Sequence, residues 1–268
     1  MKRIPLDIIG DIAILKFSKE NKKFDKLKYA KSFLSKNKNI RTILEKTNKI
    51  SGRLRKAKTN YLAGENKKQT IYRENNCLFK LNIDETYFSP RLSNHRKEIS
   101  EEIAKKIKKN SKILVMFAGI APLPIVLART LKEKNKLNNV KIISNEINKK
   151  ASKYAEENTI LNKFQETIKI IQCDAKNLPQ KLRKAKLPVK YDFILMPRPN
   201  LKETFLKTAL TLSAKNTCIY YHGFGTKEKV LEEIENSIPK NKISKIKIEK
   251  AGEIAPHKFR WIVKFRIK

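Results

Sequence analysis

The clearest pattern in the sequence is an alternation of short apolar segments with amphipathic ones, running from Tyr87 to the end of the chain. The apolar segments span 113–117, 140–144, 168–172, 191–196 and 217–222. The amphipathic segments span 125–134, 149–158, 203–213 and 227–237. Alternation of strand and helix predicts an α/β fold with a doubly wound, mostly parallel sheet. Two final apolar segments, near 243–249 and 260–267, predict an antiparallel hairpin at the sheet edge.

A different pattern precedes Tyr87. The stretch 8–15 is an apolar strand interrupted by a Gly-Asp turn signal. Apolar residues then recur at helical spacing within a basic stretch, and they predict an amphipathic helix from Lys22 to Lys38. A further strand pair is predicted around 60–65 and 77–83. The chain therefore divides into a small α+β domain, residues 1–85, and a sheet domain, residues 86–268.

The net charge of the chain indicates the class of its binding partner. Lys and Arg number 62 against 26 acidic residues, which gives a formal net charge of +36. A globular protein this basic repels itself, so the excess favours a polyanionic partner, and nucleic acid is the preferred reading. Acidic membrane lipid is the main alternative. A genome that favours lysine codons explains the many lysines, but it does not explain the scarcity of acids.

Other features of the composition bear on where the protein is located and whether it binds a metal. The first residues carry no apolar leader, and the sequence has no apolar run long enough to span a membrane. Its three Cys and three His residues are scattered, so we expect no metal site and reduced cytoplasmic thiols. His222 and His257 are interpreted as structural. We expect a cytoplasmic monomer that is not bound to membranes.

Candidate chemistry lies where predicted strands end, since open α/β sheets bind ligands at the carboxyl ends of their strands. Residues 117–122 form a small-residue turn around Gly119, Glu146 and Asp174 follow the next two strands, and residues 197–200 follow the fourth. Each signal alone has an ordinary explanation as turn chemistry or helix capping. Their order favours S-adenosylmethionine (AdoMet), because the glycine motifs of dinucleotide and P-loop sites are absent from the sequence.

Three segments together resemble one family. They are the stretch 87–96 (YFSPRLSNHR), the stretch 116–122 (MFAGIAP) and the stretch 196–199 (MPRP). They are similar to the archaeal and eukaryotic tRNA guanine-N1 methyltransferases, which modify the guanosine 3′ to the anticodon. The resemblance covers nearly the whole chain. Its MPRP segment is similar to an archaeal subfamily linked to wyosine synthesis, some members of which also methylate a tricyclic wyosine precursor.

The resemblance implies a class I methyltransferase fold, AdoMet as cofactor and tRNA as partner. It implies that Glu146 binds the cofactor ribose, that Asp174 contacts adenine and that Arg91 helps to hold the methionine end. The complete implied cofactor site is Arg91, Phe117, Gly119, Glu146, Asp174 and Pro197. Tyr87, Arg198 and an arginine of the pair Arg53 and Arg55, with Arg55 preferred, are expected near the target base.

The sequence also departs from the family pattern. The acid that usually precedes the MFAG segment is Val115, the glutamate expected as base is His95, and the asparagine of the loop after the fourth strand is Pro197. The sequence begins where the middle domain of its relatives begins, so the domain that recognises the outer corner of tRNA is expected to be missing. These departures favour a second hypothesis, an RNA-binding protein that has lost catalysis. Methylation of another RNA is a third.

The working mechanism assigns His95 as the base that removes the guanine N1 proton. Arg55 would stabilise charge developing on O6. The residues Pro197 to Asn200 would form a stiff shelf, with Pro197 and Asn200 in the catalytic loop and Arg198 beside an extruded base. The alternatives are that His95 only packs or caps its helix, and that the loop is only a stiff strand exit.

Overall fold

The computed structural model describes residues 4–17, 25–47, 52–255 and 258–268. It divides into two compact units, Met1–Ser93 and Asn94–Lys268. No helix within the described ranges is both long enough and apolar enough to cross a membrane.

The first unit contains six strands and one α-helix among its described residues. They are β1 (Leu6–Ile9), β2 (Ile12–Leu15), α1 (Lys26–Lys36), β3 (Thr42–Lys46), β4 (Thr59–Gly64), β5 (Gln69–Glu74) and β6 (Cys77–Asn82). Strands β1 to β4 form one sheet in that order, and β5 pairs with β6 in a separate hairpin. β2 and β3 are parallel because α1 connects them as a crossover, while the other neighbours are antiparallel. The predicted α+β character of this part is confirmed.

The Gly-Asp signal marks the tight turn between β1 and β2. Gly10 has a φ of 58° there, and a Cβ at this position would lie 2.1 Å from the Thr70 hydroxyl oxygen. The Asp11 side chain accepts a hydrogen bond from the same hydroxyl at 2.7 Å. The turn is thus tied to the β5–β6 hairpin at a point where only glycine fits.

The basic helix forms as predicted over its described part. Asp25 caps α1 by accepting a hydrogen bond from the Lys28 backbone N–H at 2.9 Å. Ala30 is fully buried against the sheet, with Phe33 and Leu34 packed beside it. Lys22 and Lys23, at the start of the predicted helix, lie outside the described residues.

Two predictions about this unit are wrong in detail. Strands β3 and β5 were not predicted, and the segments predicted to pair with each other lie in different sheets, because β4 pairs with β3 and β6 pairs with β5. β3 is short, and Thr42, Ile43 and Leu44 are all buried, so it lacks the alternation that marks a half-exposed strand. Lysines and arginines flank β3, so the sequence around it resembles a solvent-exposed segment rather than a strand.

The second unit holds the large sheet. Its strands are β7 (Lys112–Met116), β8 (Lys141–Glu146), β9 (Ile168–Gln172), β10 (Tyr191–Met196), β11 (Ser213–Gly225), β12 (Lys247–Ala255) and β13 (Lys258–Arg266). Its helices are α2 (Ser93–Lys106), α3 (Pro122–Glu133), α4 (Lys149–Leu161), α5 (Leu178–Lys184), α6 (Leu206–Thr211) and α7 (Lys227–Glu235). The order across the sheet is β12-β13-β11-β10-β7-β8-β9.

This order confirms the predicted doubly wound, mostly parallel sheet. All neighbouring pairs from β9 to β11 are parallel, whereas β13 is antiparallel to both β11 and β12, as expected for a terminal hairpin. From β7 the chain adds strands first towards β9 and then, through β10, in the opposite direction. This reversal between β7 and β10 is the topological switch point, where a crevice for ligands opens outside the carboxyl ends.

Candidate functional site

The turn after β7 has an unusual backbone. Phe117, Gly119 and Ala121 all have positive φ, at 58°, 58° and 64°. For residues other than glycine such angles cost on the order of 1 kcal/mol each, and they cluster at ligand sites. The buried Asn158 side chain stabilises the turn by donating a hydrogen bond to the Ile120 carbonyl at 3.1 Å. The Phe117 ring packs edge-on against Phe205, with 4.9 Å between centroids.

Glu146 ends β8 and links two turns. One carboxylate oxygen accepts a hydrogen bond from the Gly119 N–H at 2.8 Å, and the other accepts from the Asn148 N–H at 2.8 Å. The turn after β7 and the start of α4 are therefore held together through one side chain. A carboxylate has about four lone-pair positions, so Glu146 keeps the capacity to accept a hydrogen bond from a ligand hydroxyl.

The electrostatic state of Glu146 follows from this position. Burial raises the pKa of its carboxyl group above the ordinary value of 4.5, while the backbone N–H groups of Asn148, Gly119 and Ile147 act in the opposite direction. The net shift is upward. A carboxylate that is buried and aimed at backbone donors is costly to maintain, as expected for a residue kept for binding.

The carboxyl end of β9 lies beside Glu146. The buried Asn145 side-chain amide donates to the carbonyls of Ile171 and Cys173 at 3.1 and 3.0 Å, which fixes the exit of β9. The next residue, Asp174, accepts from the Lys176 backbone N–H at 3.1 Å and caps a 3-10 turn at Ala175–Asn177. Asp174 thus performs the capping role considered from the sequence, and it also lies next to Glu146 at the edge of the sheet.

The loop after β10 lies level with the turn after β7, because Leu195 pairs with Val115. Pro197 is half-buried and Asn200 is exposed, but Arg198 is only 3% exposed. The Arg198 guanidinium donates to the carbonyls of His222, Leu201 and Glu203 and to the Glu233 carboxylate, at 3.0, 2.9, 3.3 and 2.8 Å. A direct contact between this guanidinium and a base would require some of these bonds to break.

His95 lies in the first turn of α2. It is partly buried, and its Nδ1 atom is 3.2 Å from the Glu98 carboxylate. Tyr221 pairs with Met196, and the next residue, His222, is buried at the carboxyl edge of the sheet. Burial, together with the positive charges of Arg260 and Arg198, lowers the pKa of His222 to about 3. His222 is therefore neutral at physiological pH.

Three predicted site residues lie in the first unit. The Arg55 guanidinium lies 4.7 Å from the centre of the Tyr87 ring, a cation–π contact. Arg55 has a φ of 52°, and its buried Nε atom has no hydrogen-bond partner. The exposed Arg91 pairs with the Asp7 carboxylate at 2.5 Å.

The second unit thus brings together Phe117, Gly119, Glu146, Asp174 and Pro197 at neighbouring strand ends. The sequence reasoning missed residues that fix this geometry, among them Asn145, Phe205 and Glu233. Only Asn145 carried a signal, because it directly precedes Glu146 at a strand end. Among the described residues no cluster of three or more His, Cys, Asp or Glu side chains could hold a metal ion.

Comparison with known families matches both parts of the chain. Residues 70–255 match the TRM5/TYW2 methyltransferase domain, and residues 6–67 match the TYW2 N-terminal domain. The chain belongs to the TRM5/TYW2 methyltransferase family. The family predicted from the three sequence segments is therefore confirmed.

Two curated relatives of this TRM5/TYW2 chain are archaeal. The Pyrococcus abyssi protein named tRNA (guanine(37)-N(1))-methyltransferase Trm5b is 32% identical over 219 residues, covering 82% of this chain and 59% of that protein. The Nanoarchaeum equitans protein named tRNA (guanine(37)-N(1))/4-demethylwyosine(37)-methyltransferase Taw22 is 43% identical over 157 residues, covering 59% and 48%. The chain therefore spans roughly half the length of these relatives or slightly more.

Solved structures share the fold of this TRM5/TYW2 chain. The crystal structure of Trm5b from Pyrococcus abyssi superposes with a TM-score of 0.77 at 29% identity, covering 98% of this chain and 75% of that one. Methanocaldococcus jannaschii Trm5 in complex with adenosine gives a TM-score of 0.77 at 25% identity, covering 99% and 74%.

Proposed function

We propose that this chain is an AdoMet-dependent methyltransferase that forms N1-methylguanosine at position 37 of tRNA, the reaction for which the Pyrococcus abyssi relative is named. The observation that carries the proposal is the Glu146 carboxylate at the switch-point edge, which backbone N–H groups hold in place and which can still accept a hydrogen bond from a ligand. The adenosine complex of the Methanocaldococcus jannaschii relative supports a nucleoside ligand of this kind.

Each predicted cofactor residue has a proposed contact. Glu146 accepts from the ribose, and the Asp174 carboxylate accepts from the adenine amino group. The strained turn at Phe117 and Gly119 lets the ligand approach the backbone, with Pro197 on its far side. Arg91 is proposed to contact the methionine carboxylate, which would compete with Asp7 for the same guanidinium.

A small set of side chains is proposed to act on the guanine base during methyl transfer. The cofactor supplies an electrophilic methyl group. As the N1–CH₃ bond forms and the CH₃–S bond breaks, the N1 proton passes to His95. With Nδ1 directed at Glu98, the Nε2 atom of His95 remains to accept that proton. Arg55 stabilises negative charge on O6, and Tyr87 offers its ring to the base.

The loop from Pro197 to Asn200 is proposed to border the base, with Pro197 and Asn200 at its surface. Arg198 stabilises this loop by donating hydrogen bonds to the carbonyls of Leu201 and Glu203 from the protein interior. We therefore propose that Arg198 contributes to substrate binding by maintaining the conformation of the loop.

Mass spectrometry of nucleosides tests the proposal directly. A tRNA transcript incubated with the chain and AdoMet should yield N1-methylguanosine, and a transcript with adenosine at position 37 should yield none. Binding of AdoMet and tRNA without any methylated nucleoside would instead support the RNA-binding hypothesis. Methylation retained in the adenosine-37 transcript would indicate another RNA site.

A second substrate is favoured by one comparison. The Nanoarchaeum equitans relative, at 43% identity, is named for action on both guanine and 4-demethylwyosine at position 37. We propose the same pair of substrates for this chain. The same assay with tRNA that carries 4-demethylwyosine should show the mass of one added methyl group.

Glu146→Ala should weaken AdoMet binding by about 1–3 kcal/mol, because it removes charged hydrogen bonds. Calorimetry measures the change, and an unaltered dissociation constant would remove Glu146 from the site. Acidification should act in the same direction. Since the pKa of Glu146 is raised, the wild-type affinity should begin to fall at a pH above the range in which an ordinary glutamate titrates.

The basic helix should contribute to tRNA affinity through phosphates, since each neutralised phosphate releases counterions. Lys28, Lys31 and Lys36 on α1 and the nearby Lys38 are exposed, whereas Lys26 pairs with Glu45 at 2.6 Å. Replacing these four exposed lysines with glutamine should reduce the salt dependence of tRNA affinity by up to about four in log–log slope.

The matched control replaces four exposed lysines near the amino-terminal edge of the large sheet, namely Lys105, Lys108, Lys109 and Lys132. This control should leave the slope closer to the wild-type value. Equal slopes for the two variants would show that α1 is only a solvated face.

A further inference from the structure

Two lysines lie side by side in the first unit. β2 and β3 are parallel with Leu15 opposite Glu45, so the next residues, Lys16 and Lys46, are neighbours at the carboxyl ends of these strands. Side chains at matched positions of adjacent strands point to the same face. Like charges in this arrangement repel each other and destabilise the sheet.

Acidic side chains neutralise this pair only in part. The Asp7 carboxylate binds Lys16 at 2.5 Å and also binds Arg91 at 2.5 Å. The Lys46 ammonium, by contrast, forms no ion pair or hydrogen bond with any residue that the structure describes. One carboxylate therefore serves two cations, and the half-buried Lys46 has no direct partner among the described residues.

Arg55 extends the positive region. Its guanidinium lies over Tyr87, and its buried Nε has no acceptor. Burial lowers the pKa of Lys46, as do the charges of Lys16 and Arg55, and the opposite effects of Asp7 and Tyr87 do not cancel these. Such surroundings become favourable once an anion enters them.

A small cavity opens at this point. It measures about 60 Å³ and is lined by Asp7, Lys46, Thr59, Thr86 and Tyr87 with apolar neighbours. A space of this size holds several water-sized groups, so the oxygen atoms of an anion can enter it. The chemistry and size fit oxygen atoms of a phosphate group.

We propose that Lys46, assisted by Lys16 and Arg55, binds a phosphodiester group next to the nucleotide that is methylated. The assignment to RNA rests on the proposed function, and the net charge of +36 supports it independently. Lysine and arginine contacts to phosphates fix the register of a nucleic acid on a protein surface without reading its sequence. Lys46 is thus a positioning residue for the target nucleotide.

A charge-neutral linkage tests the contact. An anticodon stem–loop is prepared with one methylphosphonate, either 5′ or 3′ to the target guanosine, and its dissociation constant is measured with wild type and with Lys46→Gln. Wild type should lose about tenfold or more in affinity at one of the two linkages, the usual size of a charged hydrogen bond. Lys46→Gln should lose less than about twofold at that linkage, since its partner is already gone.

Two variants serve as controls. Lys105→Gln removes the same charge from an exposed position on α2 and should keep the full penalty at the neutral linkage. Lys46→Arg should restore the wild-type pattern, and an unchanged thermal unfolding curve shows that Lys46→Gln is folded.

Two results overturn the inference. If Lys46→Gln suffers the same penalty as wild type at both linkages while wild type still methylates tRNA, the phosphate contact is wrong and the proposed function stands. If wild type binds no stem–loop and forms no methylated nucleoside, both are wrong.

Discussion

Replacing His95 with alanine is expected to slow methyl transfer about 10²–10⁴-fold, the usual contribution of a positioned general base. The substitution removes the proposed acceptor of the guanine N1 proton without touching the Glu146 site. Single-turnover kinetics at saturating tRNA and AdoMet measure this step separately from product release.

Affinity measurements and a second variant distinguish catalysis from folding. AdoMet and tRNA should bind to His95→Ala with little change, because a base acts mainly in the transition state. His95→Glu introduces the glutamate that the family has at this position. This variant should keep substantial activity, with its pH profile shifted towards acid. A His95→Ala protein as fast as wild type would mean that orientation suffices and that solvent takes the proton.

Arg198→Met is expected to lower the free energy of unfolding by about 3–5 kcal/mol, the range for breaking a buried ion pair. Arg198 is 3% exposed, and its loss leaves three carbonyl groups and the Glu233 carboxylate without its donors. Tyr221 still donates to Glu233 at 2.7 Å, which keeps the carboxylate partly satisfied. Urea denaturation followed by circular dichroism measures the change.

A double variant and a variant of an exposed arginine serve as controls for this experiment. Arg198→Met with Glu233→Gln should recover part of the loss, because the uncompensated charge is gone. Arg183→Met, at an exposed position on α5, should change stability by less than about 0.5 kcal/mol. An Arg198→Met protein as stable as the Arg183 variant would contradict the interior role and favour a surface contact with the base.

The second unit was largely predictable because its central strands, β7, β8 and β10, are almost wholly buried and its helices are amphipathic. β9 and β10 begin and end at the residues predicted for them, Ile168–Gln172 and Tyr191–Met196. The helix predicted at 203–213 is shorter, at Leu206–Thr211, and β11 is longer than predicted, beginning at Ser213. Short helices and long edge-side strands carry weaker periodicity than buried central strands.

The position of Glu146 followed from topology, since carboxyl ends of parallel strands meet at one edge. Its hydrogen bond to the Gly119 N–H did not follow, because it depends on the positive φ angles of the turn after β7. Dihedral angles of this kind leave little trace in the sequence when the residue is a phenylalanine or an alanine.

Arg198 and Lys46 illustrate what sequence reasoning lacks. Two prolines around Arg198 indicate a stiff loop, but its ionic partner, Glu233, lies 35 residues further along the chain. Lys46 stands in a lysine-rich stretch, and the sequence alone does not distinguish it from solvated neighbours. For Lys46 the decisive fact is which strands lie side by side, and for Arg198 it is where α7 packs. Contacts between distant segments of this kind are set by the packed fold.

The last hairpin leaves β12 at the open edge of the large sheet, where unpaired backbone groups could recruit a strand from another molecule. The register between β12 and β13 shifts after Lys250, next to Gly252 with its φ of 121°. Lys247 and Lys250 are exposed along the same strand. An irregular edge that carries charged side chains is a poor template for intermolecular pairing, so this strand should resist pairing with a second molecule.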